Sequence, residues 1–244
     1  ELHTHGALWI SGKPGRGAEG LQPVVHLRVE GEPTFDLIRG QLNAARAARC
    51  DVVVAMGKGR QVAGGAIYKQ AEMDEVQLSG TREFIDVHEA KLDALENLVE
   101  SLQGSPVLVA YEFQHELFRI RERLGDVPYI GSGVTTKQAL EIERAWNNKE
   151  LPVLLGHPGS MGHGLNLQAA GNHVCWYTPT WNLEHYDQFN KRVLRQGNTH
   201  DVVIVHRLLA RATIDRMVAG MLKSKGKTQA SLLTALKQFT QSRG

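Results

Sequence analysis

The stretch that decides the fold, residues 156–197, reads GHPGSMGHGLNLQAAGNHVCWYTPTWNLEHYDQFNKRVLRQG. It joins a glycine-rich segment, an apolar run at 173–177 and a polar segment that carries two arginines. On a helix, the spacing of Gln188, Arg192 and Arg195 would place these three side chains on one face. Guanidinium groups are planar and permanently charged, and they bind phosphate oxygens in pairs. The polar segment therefore predicts contact with a polyphosphate ligand.

Three sequence motifs of this stretch follow one another in an order that is typical of one protein family. The sequence G-H-G-L-N-L occupies residues 162–167, Trp181 and Asn182 follow the apolar run, and the arginines come last. In this order they resemble motifs V and VI of superfamily 2 helicases, most closely the Swi/Snf-type DNA translocases and their prophage-encoded branch. The resemblance extends from the Arg-Gln pair at residue 60 to about residue 239. It implies the carboxy-terminal RecA-like lobe of a two-lobed motor.

Apolar runs alternate with amphipathic segments in the second half of the chain. Segments at 88–102 and 114–124 have a helical period, and Thr135 or Thr136 is expected to cap a helix that ends at Trp146. Five runs predict buried strands: 106–111, 127–130, 152–156, 173–177 and 201–206. This alternation predicts an α/β fold with helices on both faces of a mainly parallel sheet. It agrees with the three-layer, P-loop NTPase-like lobe that the resemblance implies.

We divide the chain into two parts at residue 50. Residues 51–244 are predicted to form the helicase lobe with carboxy-terminal helices, which include an amphipathic segment at 213–239. Residues 1–50 are predicted to be an irregular or partly helical lead-in, with a short strand at 24–30 where apolar and polar residues alternate. The first residue is glutamate rather than methionine, which suggests a piece excised from a longer protein.

The resemblance implies roles for eight residues. They are catalytic Arg192 and Arg195, ATP-binding Gln188, Gly162 and Gly164, and DNA-binding Ser160, His163 and Trp181. An arginine finger stabilises charge on a phosphoryl group in transfer, and Arg195 is the leading candidate for that part. The glycines would let backbone amides approach a phosphate, and residues 165–170 are expected to aim a helix amino terminus at it.

Several of these residues also have purely structural interpretations. Trp181 could pack in the core or in a turn, and His163 could be an ordinary polar loop residue. Asn166 is expected to brace its loop through hydrogen bonds to the backbone. The two arginines could form ion pairs with Glu184 or Asp187. The order of the motifs favours the phosphate role for the arginines over this last alternative.

The motifs of a first motor lobe do not occur in this sequence. The apolar residues 51–56 are interpreted as a strand, but the glycine-rich turn after them has valine at position 62, where a dinucleotide fingerprint needs its third glycine. The chain also lacks a phosphate-loop lysine and an acidic magnesium-binding box. ATP and Mg²⁺ are therefore expected as cofactors of an intact two-lobed enzyme only, and this fragment alone is expected to bind neither and to be inactive.

Double-stranded DNA, ATP and the missing amino-terminal RecA-like lobe are the expected partners. Two alternatives stay open: a degenerate lobe that serves as a DNA-binding or interaction module, and the lobe of a strand-separating DNA or RNA helicase. Asn198 stands where Swi/Snf-type proteins usually have glutamine, which shortens that side chain by one methylene.

The composition of the 244 residues is ordinary for a globular protein, with 42% hydrophobic residues and a net charge of +2. The two cysteines, Cys50 and Cys175, lie far apart and predict neither a disulfide framework nor a zinc site. No apolar run approaches the roughly 18 residues that span a membrane. We therefore expect a cytoplasmic protein with no membrane partner, and no metal site of its own.

Overall fold

A computed structural model describes residues 9–10, 24–29, 52–69, 82–161, 164–195, 198, 200, 202–211 and 213–223, with the backbone alone for 9–10, 24–29, 52–55 and 223. The strands are β1 (Trp9–Ile10), β2 (Val24–Val29), β3 (Ala66–Tyr68), β4 (Phe84–Asp86), β5 (Val107–Ala110), β6 (Tyr129–Ile130), β7 (Val153–Gly156), β8 (His173–Trp176) and β9 (Ile204–Ala210). The helices are α1 (Val52–Ala63), α2 (Ala90–Ser101), α3 (Gln114–Leu124), α4 (Thr136–Asn147), α5 (Leu183–Val193) and α6 (Asp215–Lys223).

Seven of these strands form one sheet in the order β1-β2-β9-β8-β5-β7-β6. All neighbouring pairs are parallel except β1 and β2. The five strands that the apolar runs predicted are adjacent in this sheet, and the predicted RecA-like α/β fold is confirmed. The alternating segment near residue 24 is also a strand, and it extends the sheet by pairing with β9 from Val24 opposite Val205 to Val29 opposite Ala210. The division of the chain at residue 50 stays a prediction.

Helices and loops cover both faces of the sheet. Val107 and Val109 of β5 point to the face that packs against α2 and α3, while Leu108 and Ala110 point to the face that packs against α4 and α5. Side chains of successive residues in a strand point to opposite faces. A strand buried on both faces must therefore be apolar throughout, which is why these strands read as continuous apolar runs.

The connection from β7 to β8 contains no helix over its described residues. The expected helix over 165–170 is wrong, because Leu165 and Leu167 are both buried in the core whereas Asn166 between them is exposed. Side chains two residues apart share one side of an extended chain but not of a helix. This connection therefore covers its part of the sheet with extended chain.

The strand expected over 51–56 is also wrong, because these residues belong mostly to helix α1. Three valines in a row favour a strand locally. The side chains of Met56, Arg60 and Ala63 are nevertheless all buried, and this spacing of four and three residues is helical. After α1 come β3 and β4, an antiparallel pair that forms a sheet of its own and that was not predicted.

The turn after α1 is anchored to the main sheet through the carbonyl of Gly64. This oxygen accepts hydrogen bonds from the Tyr177 hydroxyl at 3.1 Å and from Arg119 at 3.3 Å. Gly65 follows with a φ of 102°, and a Cβ atom there would lie 2.5 Å from the backbone carbonyl oxygen of His88. The turn needs glycine at residue 65 both for its backbone conformation and for this close contact.

The helix boundaries largely follow the local sequence. Thr135 caps α4 as predicted, and its hydroxyl accepts the Gln138 N–H at 3.3 Å. Helix α6 begins inside the predicted segment 213–239, whose residues after 223 lie outside the described ones. None of the helices in the described part of the chain is long and apolar enough to cross a membrane.

A buried ion pair joins α2 to α6. The Lys91 ammonium lies 2.7 Å from the Asp215 carboxylate, and both side chains are almost fully buried. Lys91 also donates to the carbonyl of Tyr177 at 2.9 Å, and Asp215 also accepts the N–H of Ala210 at 3.0 Å. Lys91 therefore has a second partner directly after β8, and Asp215 has one at the last residue of β9.

Lys91→Met should lower the free energy of unfolding by about 3–5 kcal/mol, because the Asp215 carboxylate would stay buried without its cation. The double variant Lys91→Met/Asp215→Leu should recover part of that loss, since no isolated charge remains. Urea denaturation measures both, with Lys191→Met on the exposed side of α5 as the control. Strictly additive losses in the double variant would show that the two charges are not coupled.

Two stacked histidines connect β8 and β9. His173 Nδ1 and His206 Nε2 are 3.0 Å apart, and the ring centroids are separated by 5.3 Å. Burial, and then the neighbouring charge of His173, lower the pKa of His206 to about 4. Burial also lowers the pKa of His173. The folded chain therefore takes up fewer protons here than the unfolded chain as the pH falls.

Between pH 6.5, the ordinary histidine pKa, and about pH 4, the unfolded state binds the extra proton. The free energy of unfolding should therefore fall by roughly 3 kcal/mol through His206. Below that window both states are protonated and the loss ends. Denaturation curves at several pH values, compared with those of His206→Gln, measure this contribution. If His206→Gln keeps the full pH dependence of the parent while His185→Gln loses part of it, the assignment to His206 is wrong.

Candidate functional site

The loops that carry most of the candidate residues leave one edge of the sheet. The backbone N–H of Tyr111 donates to Gly156 at 3.1 Å, that of His157 donates to Ile130 at 2.9 Å, and that of Tyr177 donates to Ala110 at 3.0 Å. These bonds continue the parallel ladders past the last strand residues. The segments after β5, β7 and β8 therefore start side by side at the carboxyl edge, where ligands bind in open α/β sheets.

The segment after β7 begins with a tight turn. The N–H groups of Ser160 and Met161 both donate to the His157 carbonyl, at 2.9 and 3.1 Å. Ser160 is exposed on this turn, whereas Met161 points into the core. The next two candidates, Gly162 and His163, lie outside the described residues, so their roles stay predictions.

The loop of residues 164–167, called the GLNL loop below, packs against the carboxyl end of α5. Gly164 is exposed and has a φ of 72°, a conformation that favours glycine. The Arg192 guanidinium donates to the Leu165 carbonyl at 3.2 Å. The N–H of Leu167 donates to the Arg192 carbonyl at 3.2 Å. Arg192 thus holds the GLNL loop through both its side chain and its backbone.

Helix α4 holds the GLNL loop from the other side. Glu143 accepts the N–H of Asn166 at 3.0 Å, and the Asn147 amide donates to the Asn166 carbonyl at 2.7 Å. The indole N–H of Trp146, which is fully buried, donates to the Leu167 carbonyl at 3.0 Å. The expected bracing of the backbone by the Asn166 side chain is wrong, because that side chain bonds to the Arg195 side chain and the bracing side chains come from α4.

The expected common helix face for the two arginines and Gln188 is wrong, because α5 ends at Val193. Arg195 lies beyond the helix, in a turn where its N–H donates to the Val193 carbonyl at 3.0 Å. The side-chain amide of Asn198 donates to that same carbonyl at 2.9 Å. The carbonyl of Arg192 accepts a hydrogen bond from the backbone N–H of Leu167. These donors satisfy carbonyls at the end of α5, which stops two residues before Arg195.

Both arginines nevertheless reach the GLNL loop. The Arg195 guanidinium is exposed and donates to the side-chain oxygen of Asn166, while Arg192 is half-buried. Burial lowers the pKa of Arg192, and the charge of Arg195 lowers it further. Two cations that repel each other in this way bind a multiply charged anion favourably. Gln188 stands apart, since its amide donates to Glu184 on its own helix at 2.9 Å.

Trp181 precedes α5, whose first turn is capped by Asn182 accepting the N–H of His185 at 3.1 Å. The indole ring is half-buried and packs against Met56 of α1, and the Arg60 guanidinium lies 4.5 Å from the ring centroid. Core packing therefore accounts for one side of this ring. A DNA contact through its other side stays a prediction.

Sequence reasoning missed the role of Arg60. Its side chain is buried, forms an ion pair with Glu112 at 3.2 Å and donates to the Pro179 carbonyl at 3.0 Å. Arg60 thereby ties α1 to the segments after β5 and β8. The Arg-Gln pair marked this position in the sequence, but nothing local indicated that the charge is buried.

Glu116 of α3 is a second buried charge that was missed. It accepts the Thr178 hydroxyl at 2.6 Å and the N–H groups of Glu112 and Phe113 at 2.8 and 3.2 Å. Burial raises the pKa of Glu116, although these hydrogen bonds oppose the change.

No group of three or more histidine, cysteine, aspartate or glutamate side chains placed to hold a metal ion occurs among the residues that the structure describes.

Comparison with known proteins connects this site to a family. Residues 90–197 match the model of the helicase conserved C-terminal domain. Putative protein p41 of Acyrthosiphon pisum secondary endosymbiont phage 1 is 34% identical over 182 residues, which cover 73% of this chain and 36% of that protein. The chain therefore spans 36% of the length of this curated relative.

Two solved structures have the same fold. The SWI2/SNF2 ATPase core domain of Sulfolobus solfataricus matches with a TM-score of 0.60 at 18% identity, over 84% of this chain and 43% of that one. The same core in complex with dsDNA matches with a TM-score of 0.58 at 19% identity, over 83% of this chain and 44% of that one. The matched domain contains the GLNL loop and both arginines. Residues 90–197 therefore match the helicase conserved C-terminal domain, and the chain shares the fold of these two ATPase core structures.

Proposed function

We propose that this chain is the second motor lobe of an ATP-dependent DNA helicase or translocase, to which it supplies an arginine finger and DNA-contact loops. The observation that carries the proposal is the convergence of Arg192 and Arg195 on the GLNL loop inside the helicase domain. Arg192 binds the backbone of this loop and Arg195 binds its one exposed amide side chain. One loop thus fixes the position of both cations.

The chemistry of these two cations suits the phosphates of ATP. In the proposed enzyme, ATP and Mg²⁺ supply the transferring phosphoryl group and the ion that neutralises it, held mainly by a first lobe. Arg195 is exposed, so it can reach a ligand that a facing lobe presents. Arg192 is half-buried and anchored, and we assign it the supporting part. Gln188 and the glycines at 162 and 164 complete the proposed ATP-binding set.

We place the DNA on the loops at the carboxyl edge of the sheet. Ser160 is exposed on its turn and Trp181 is half-buried with Arg60 over its ring, and we assign both residues to the contact with a nucleic acid. His163 completes this proposed set. Contacts of this kind do not read sequence, as a motor that moves along DNA requires. A structural neighbour has been solved with dsDNA, which supports the choice of duplex.

We further propose that the chain is inactive without an amino-terminal lobe and that it derives from a phage. A lobe with two arginines but no phosphate-loop lysine or magnesium carboxylates lacks the groups that hold and polarise ATP. The phage origin is supported by the relative p41. Lobe closure around each nucleotide would then couple hydrolysis to movement.

The 244-residue chain alone should hydrolyse no ATP above background, with or without duplex DNA. Fusion to a first lobe that carries a phosphate loop and an acidic box should produce DNA-stimulated turnover. A phosphate-release assay measures both. Turnover by the lone chain would contradict the proposed division of labour, and a fused protein that binds duplex DNA without turnover would favour an interaction module.

In the two-lobed protein, Arg195→Ala should lower kcat by about a thousandfold or more, because the charge of the transferring phosphoryl loses its cation. The dissociation constant for duplex DNA should change little, since Arg195 is assigned to the nucleotide. Lys191→Ala, which removes an exposed cation from the same region, is the matched control. Equal losses of turnover and DNA affinity would rule out the finger assignment.

A further inference from the structure

Asn166 has an unusual set of partners for an exposed loop residue. Its N–H and its carbonyl are both held by α4, through Glu143 at 3.0 Å and Asn147 at 2.7 Å. A peptide segment held at both polar groups has a fixed orientation, so the direction of its side chain is largely fixed as well. Helix α4 therefore sets where the Asn166 amide points.

The end of α4 is itself rigid. Trp146, which lies between Glu143 and Asn147, is fully buried and donates to the Leu167 carbonyl at 3.0 Å. Asn147 makes a second bond, in which its side-chain oxygen accepts the N–H of Ala169 at 3.3 Å. The bracing side chains therefore project from a turn of helix that is anchored in the core.

The Asn166 side chain in turn holds Arg195. Its oxygen accepts a hydrogen bond from the Arg195 guanidinium, which is otherwise carried on an exposed turn after α5. A free arginine side chain has up to about 2 kcal/mol of rotamer entropy, and a fixed acceptor limits the rotamers in advance. A chain of contacts thus runs from α4 through Asn166 to the proposed finger.

We propose that Glu143 and Asn147 are positioning residues for Arg195 and that they act through Asn166. This inference rests on the proposed function of Arg195 at the ATP phosphates. Glu143 would not itself touch the nucleotide, because a carboxylate repels phosphate, and Asn147 is committed to Asn166 and Ala169. Substitution of either residue should therefore lower kcat, because Arg195 must contact the phosphoryl group when ATP is hydrolysed.

The test uses the two-lobed protein and steady-state ATP hydrolysis at saturating duplex DNA. Glu143→Ala and Asn147→Ala should each lower kcat by about 10- to 100-fold, because a finger displaced by about an ångström stabilises the transition state poorly. The KM for ATP and the affinity for DNA should stay within about twofold of the parent values. Glu141→Ala, an exposed glutamate on the same helix, is the matched control and should leave kcat unchanged.

Two conservative variants separate positioning from folding. Glu143→Gln keeps an oxygen that can accept the Asn166 N–H, so it should restore most of kcat. Asn147→Asp keeps the acceptor for Ala169 but loses the donor to the Asn166 carbonyl, so it should resemble Asn147→Ala. Because both replacements have nearly the parent shape, they give an answer even if an alanine variant does not fold. Equal turnover of Glu143→Gln and Glu143→Ala, or full activity of Asn147→Asp, would overturn the inference.

A double variant tests whether the effect passes through Arg195. In an Arg195→Ala background, Asn147→Ala should lower kcat no further, because the residue that it positions is already gone. A further drop of the same size would overturn the inference.

If Arg195→Ala lowers kcat and the α4 variants do not, the link through Asn166 is wrong and the finger assignment is retained. If Arg195→Ala has no effect, the finger assignment fails and this inference fails with it.

Discussion

The arrangement of the site depends on one constraint, which is that the described residues of the β7–β8 connection cover a sheet face without forming a helix. Met161, Leu165 and Leu167 fill the space over the strands that a helix would otherwise fill. In an extended chain, burial of Leu165 and Leu167 turns Asn166 outward. The backbone polar groups that a helix would satisfy internally must then find partners in α4 and α5. Those partners include the side chains of Glu143, Asn147 and Arg192.

The sequence predicted the sheet well because each central strand is buried on both faces and is therefore apolar throughout. It failed at the first residues of α1, which were expected to be a strand, and at the β3–β4 pair, where tertiary contacts decide the outcome. Three valines favour a strand locally, yet burial of Met56, Arg60 and Ala63 selects a helix. Strand β4 is short and mostly exposed, with Ile85 half in solvent, so its sequence has no apolar run.

The sequence indicated which arginines reach the GLNL loop but only partly how they are arranged. Spacing identified Arg192 and Arg195 as a pair, and both do reach one loop. Spacing could not show that α5 ends between them, because its carbonyls are taken by Leu167 and Asn198 from elsewhere in the chain. The bracing role of α4 was invisible for a similar reason. Glu143 and Asn147 look like ordinary polar residues of an amphipathic helix until the fold brings the loop to them.

The outermost strands of the main sheet, β1 and β6, are two residues long each. A strand of this length offers few free backbone groups to another strand, which limits edge-to-edge pairing at these two positions. A partner that docks there would contact loops and side chains more than a continuous ladder of backbone hydrogen bonds. Contacts of that kind form and break without the register of a shared sheet, which would suit the two-lobed motor proposed above.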